Sequence, residues 1–233
     1  MDFKINFVQL VIYSPGIVFI NKLKMANEIN DNLSNLLDDD PVMLPLPEDA
    51  PADIPRIQMS SKNKRYILSI AANRIDFIYQ YKDENKGLFP ALDFFEKFLT
   101  IFKYFAEKIH TQFTRSAMVT NWVIELGDIS PAEFLRNKYI QKDTPIINPY
   151  ELEIHYLTKG TIGKFEVNKW VRIKSEHKMS ETEKNSLITF LIDINTVEEK
   201  IYEFDMDSLQ SFLEQSSNIT KETISEHLKK IGE

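Results

Sequence analysis

One stretch, LFPALDFFEKFLTIFKYFAEKIH at residues 88–110, constrains the fold more than any other. Leu88, Leu92, Phe95, Leu99, Phe102, Ala106 and Ile109 recur at helical spacing, and Ala91, Phe98 and Phe105 widen the stripe. Phe94, Ile101 and Tyr104 carry the apolar arc well past the ~100° that a one-sided surface helix needs. The spacing therefore predicts a core helix that lies across a sheet and touches a second element as well.

A sheet for it to lie on is legible on both sides. Residues 5–13 (INFVQLVIY) read as a strand closed by Ser14-Pro15-Gly16, and Phe19, Leu23, Ala26, Ile29, Leu33 and Leu36 mark an amphipathic helix that ends at Asp38-Asp39-Asp40-Pro41. Pro41, Pro45, Pro47, Pro51 and Pro55, interspersed with Asp49 and Asp53, predict a long acidic loop with no helix of its own. Strands follow at 56–60, 66–72 and 74–82, the last two joined by a tight Ala72-Asn73 turn, and a polar loop at 82–87 leads into the long helix. The order then recurs. A strand at 117–126 precedes a helix capped by Ser130, with Pro131 in its first turn and Glu133 at the capping-box position. After a loop at 143–149 come strands at 151–157, 164–174 and 186–197, then helices at 207–215 and 220–231, the first capped by Asp205 or Asp207. This predicts an α+β protein of two β-α-β-β-β-α halves, residues 1–112 and 113–233, each an antiparallel sheet of four strands packed against helices. With no Gly, Ser or Pro-rich linker near residues 111–115, the halves are expected to pack closely, even as one domain.

Composition narrows the chemistry. There is no cysteine, which excludes disulfides, thiolate metal sites and a cysteine nucleophile, and fits a cytoplasmic location. A net charge of −7 argues against general nucleic-acid binding. Residues 3–20 are apolar, but Asp2 stands where a signal peptide has basic residues, and Asn6 and Gln9 interrupt the run, so neither a signal peptide nor a membrane span is expected. No glycine-rich phosphate loop and no nucleophile elbow is present. His110, His155, His177 and His227 never fall at metal-ligand spacing, so no metal and no cofactor is expected.

Carboxylates are plentiful. Glu151, Glu153 and Asp193 could converge on a divalent cation as in a metal-dependent phosphodiesterase or nuclease, although alternating charges on a solvated strand face look the same. Asp193 stands out because it interrupts an apolar strand; it shares a face with Leu187, Thr189 and Leu191, and a hydrogen bond at a sheet edge or towards a helix would satisfy it. Trp122 and Trp170 read as core residues. Tyr79, Tyr81, Trp122 and Tyr156 could instead line a small-molecule or peptide pocket between the halves. Since no catalytic constellation competes, the residues favour a non-enzymatic interaction protein. Its protein partner would bind a sheet edge or the acidic loop with Asp39, Asp40 and Asp49, and a homodimer is compatible with the same edges.

Asn73-Arg74-Ile75-Asp76-Phe77, the aromatic helix at 88–110 and Phe190-Leu191-Ile192-Asp193-Ile194 together resemble a sporadically distributed family of uncharacterised bacterial proteins of about this length. That family carries an arginine-rich strand after the long helix, where this chain has Val119-Thr120-Asn121-Trp122. The resemblance implies a bacterial cytoplasmic protein and no catalytic residues.

Overall fold

Val8, Leu10 and Ile12 alternate with Gln9, Val11 and Tyr13, and the first three are fully buried on one side of β1 (Lys4–Tyr13). In chain order there follow α1 (Lys22–Asn32), β2 (Val42–Met43), β3 (Pro55–Ser60), β4 (Tyr66–Ala71), β5 (Arg74–Gln80), α2 (Leu92–Lys108), β6 (Arg115–Gly127), α3 (Pro131–Tyr139), β7 (Glu153–Ile162), β8 (Phe165–Met179), β9 (Lys184–Thr196) and α4 (Met206–Gly232). The computed structural model describes residues 3–232 except 48, 82–88, 90–91, 142 and 180–183. The loop expected at 82–87, and Leu88 and Ala91 of the apolar stripe, lie outside the described residues.

The nine strands form one antiparallel sheet in the order β2-β3-β4-β5-β1-β6-β9-β8-β7. This α+β layering departs from the two separate four-stranded sheets that the sequence suggests. β1 pairs with β6, Leu10 opposite Met118, so the sheet crosses the boundary at residue 112 unbroken. The physical reason lies in these two strands: Leu10 and Ile12 of β1 and Met118 and Ile124 of β6 are all buried on the helix side, so neither strand is suited to a solvent-exposed edge. Pairing them removes two edges at once. β2, inside the proline-rich loop, adds a ninth strand that the sequence reading lacks.

All four helices cover one side. On α2, Phe94 stacks on Phe77 of β5 with centroids 4.9 Å apart, and Phe102 lies 5.1 Å from Phe113. α2 also packs on α4 and on α1, whose Glu28 accepts a 2.9 Å hydrogen bond from the Tyr104 hydroxyl. The wide arc of the helix thus has its several partners. α4 is one helix of 27 residues, not two, capped by Asp205 through the Ser208 amide at 2.8 Å. Its buried stripe runs Leu209, Phe212, Leu213, Ser216, Thr220, Thr223, Ile224, His227, Ile231, so small polar residues continue the periodicity where the sequence looked broken. α1 ends at Asn32, before the expected Asp38, because Ser34 and Asn35 turn to positive φ. Among the described residues, no helix is long and apolar enough to cross a membrane.

Candidate functional site

The helix-free side of the sheet is where polar groups collect. β5, β1, β6 and β9 are adjacent there, and their alternate residues face a cavity of about 340 Å³ with Val11, Ala117 and Val119 as floor and Gln9, Tyr13, Arg74, Asp76, Arg115, Asp193 and Asn195 around it. Strand pleating puts these side chains on one face, and the β1–β6 pairing joins the two halves of the sheet there.

Asp76 is buried and fully engaged. Gln9 Nε2 donates to its Oδ1 at 2.7 Å, and Arg74 Nε lies 2.9 Å from Oδ2 as an ion pair, without the alignment of a hydrogen bond. Burial nonetheless holds its pKa above the usual carboxylate range, against the pull of Arg74. Asp193, on an interior strand, accepts only from Asn195 Nδ2 at 2.9 Å among the described residues, and burial raises its pKa too. It lies neither at a sheet edge nor towards a helix, as the sequence reading supposed. The Arg115 guanidinium lies over the Tyr13 ring, 4.9 Å from its centroid, and Nη1 is 3.3 Å from Glu198. Burial pushes the Tyr13 hydroxyl up despite both arginines.

A second hollow, about 520 Å³, sits at the β7–β8 hairpin between Lys159, Glu166 and Lys200. Its Lys200–Glu166 ion pair is half exposed, which gives weak purchase on any ion.

The expected ring-lined pocket does not form. Tyr79 and Trp122 are buried on the helix side, Tyr79 against Phe94 at 5.8 Å and Trp122 donating its indole N–H to Thr120 at 3.0 Å. Tyr81 packs edge-on to Tyr79 at 4.7 Å. Tyr156, five strands away from β5, donates to or accepts from His227 Nε2 at 2.9 Å, while Tyr139 meets Nδ1 at the same distance. Burial lowers the pKa of His227 to about 4, so the ring is neutral and the two hydroxyls share one donor and one acceptor role with it. Period-2 alternation groups the aromatic residues of β5 on one face but does not say which face the helices cover. Trp170, read as a core residue, stands half-buried on the helix-free face, opposite Asp193.

The carboxylates considered for a metal are likewise dispersed. Glu151 precedes β7 and is exposed; Glu153 is exposed on the edge strand, where its hydrogen bond with His155 at 2.7 Å lowers its pKa. Through the register Glu153–Lys174–Thr189, it lies two strands and four residues from Asp193, on the order of 15 Å away. Among the described residues no group of three or more His, Asp and Glu side chains could hold a metal ion.

In the acidic loop, Asp39 pairs with Lys64 and accepts from Ser60 at 3.3 Å, and the Lys64 hydrogen bond lowers its pKa. Asp40 and Asp49 are exposed. The loop is folded down, since the buried Arg56 guanidinium donates to the carbonyls of Ala50, Pro51 and Ile54 at 3.0, 3.3 and 2.7 Å. Sequence reasoning missed Arg74, Arg115, Asp76 and Gln9. The signal available was the recurrence of an aspartate between apolar residues in Ile75-Asp76-Phe77 and Ile192-Asp193-Ile194. Comparison with family models, with curated proteins and with solved structures finds no match in any of the three.

Proposed function

We propose that this is a non-enzymatic binding protein whose recognition surface is the helix-free face of the sheet, where it takes a small polar ligand. The observation that carries this is the convergence of two arginines, two aspartates and a tyrosine from four strands on one cavity with an apolar floor. Burying charges is costly unless they are used or paired, and two carboxylates here have pKa values raised by burial. A thermal-shift screen of the full chain with charged small molecules tests it. A bound ligand raises the melting temperature, and Val119→Arg, which fills the floor with a charged side chain, removes that rise. A rise unaffected by Val119→Arg excludes this face.

We further infer that the two stretches 1–112 and 113–233 are related as β-α-β-β-β-α units. Val11 opposes Asp76 and Val119 opposes Asp193, and Val11 and Val119 flank the central Leu10–Met118 pair symmetrically. A two-fold axis through that pair exchanges the two aspartates, so the cradle is built at the junction of the units.

A protein partner is favoured by a separate feature. β7 has ten residues, pairs among the described residues with β8 on one side only, and exposes Leu157 and Lys159. A strand or a second copy added at β7 would be lost on Leu157→Lys in a pull-down or sedimentation experiment, while binding in the cradle would persist.

A further inference from the structure

The two aspartates of the cradle hold equivalent positions but differ in what they lack. Asp76 has a cation and an amide. Asp193 has no cation within ion-pair distance among the described residues, the Arg172 and Arg115 guanidiniums acting on it only from farther off, and directly across from it on β8 stands Trp170, whose side chain faces the same side of the sheet. An indole beside an unpaired carboxylate is a recurrent setting for an ammonium group. At the other end, the Arg115 side chain is 21% exposed and its Nε is buried without a hydrogen bond. Nη2 donates to the Thr196 carbonyl at 3.4 Å, and the acid opposite Nη1, Glu198, is 84% exposed. Such a rim ion pair is weak and exchangeable, so an incoming carboxylate can take its place at little cost. The Tyr13 ring beneath the guanidinium, 4.9 Å from its centroid, supports a group whose planar fork suits a two-pronged contact.

Resting on the binding role given above to this face, we propose that the cradle selects a small zwitterion: a carboxylate on Arg115, displacing Glu198, and an ammonium on Asp193 beside Trp170. One arginine and one aspartate left without strong internal partners in one cavity match a ligand of both charges, whereas the Arg74–Asp76 pair is already self-neutralised and acts as wall.

Three probes of equal chain length separate the possibilities: γ-aminobutyrate, butyrate and n-butylamine, titrated into the isotope-labelled full chain with amide shifts followed by NMR. The expected result is that γ-aminobutyrate moves amides around 115 and 193 together and binds at least tenfold tighter than either singly charged probe. Arg115→Met should bring its affinity down to that of the amine, and Asp193→Asn down to that of butyrate. If butyrate binds as tightly as the zwitterion, the cradle stands as an anion site and the zwitterion is wrong. If no probe moves any amide of β1, β5, β6 or β9, both this inference and the binding role of the face fall. The wild-type comparison alone decides should either variant fail to fold.

Discussion

At the scale of single residues, burial separates what the fold needs from what it tolerates. Phe98 is fully buried and Phe102 nearly so; truncation of either to alanine should cost about 3–5 kcal/mol in urea unfolding. Lys103, whose ion pair with Glu107 spans 4.0 Å on an exposed face, should change stability by no more than about 0.5 kcal/mol as alanine. Equal effects at the three positions would mean that the aromatic face of α2 is not the core. Asp193 carries the opposite sign. Its folded pKa is raised, so the protonated form suits the fold, and stability is full below the unfolded value of about 3.9 and declines as pH rises through the folded value. Asp193→Asn keeps the Asn195 contact and removes the charge, so it should melt higher than the parent at pH 7 and level with it below about pH 4. The cost of Asp193 within an apolar strand was legible in the sequence. Its neighbours were not, because Arg74 and Arg115 stand at the starts of strands 41 residues apart in sequence and meet only when β1 brings β5 and β6 to either side of it.

Elements were legible where a clean period runs to a clean stop. β1, β3, β4, β5 and α3 fall within two residues of expectation, with Ser130 accepting from the Glu133 amide at 3.4 Å as the cap. α4 failed that test because Ser216, Ser217 and Thr220 are buried yet polar, so a hydrophobic count sees a gap that packing does not. Replacing Ser216 with leucine should overpack this stretch and cost about 1–3 kcal/mol. Lower on the same helix, His227 ties α3, β7 and α4 together through Tyr139 and Tyr156, with Phe190 against its ring at 5.2 Å and Glu226, Lys230 and Lys169 acting on its charge. Its pKa is depressed from 6.5 to about 4, so its stabilisation is complete above pH 6.5 and lost as pH falls towards 4. The loss should be on the order of 2 kcal/mol after solvent screening, and His227→Phe should flatten the profile in that window when melts are compared from pH 7 to 4. An unchanged slope would mean that the ring is already solvated.

For the whole molecule, the sequence conveyed most of the parts and their order, β2 and the continuity of α4 apart, but not that the sheets join. Pairing of β1 with β6 depends on contacts about a hundred residues apart, for which no local period exists. Fragments 1–112 and 113–233 should each be aggregation-prone alone, since each uncovers an apolar central strand, and should recover the native circular-dichroism spectrum when refolded together. Two independently soluble fragments that ignore each other would contradict the shared sheet. The two outer edges of that sheet are unlike: β2 offers two residues within the proline-rich loop, whereas β7 offers ten. A chain with one adhesive end and one blunt end cannot polymerise head to tail through its sheet. Were β7 to join its own copy antiparallel, both adhesive ends would be used up in one two-fold contact, and growth by strand addition would terminate at eighteen strands, a closed pair instead of a fibre.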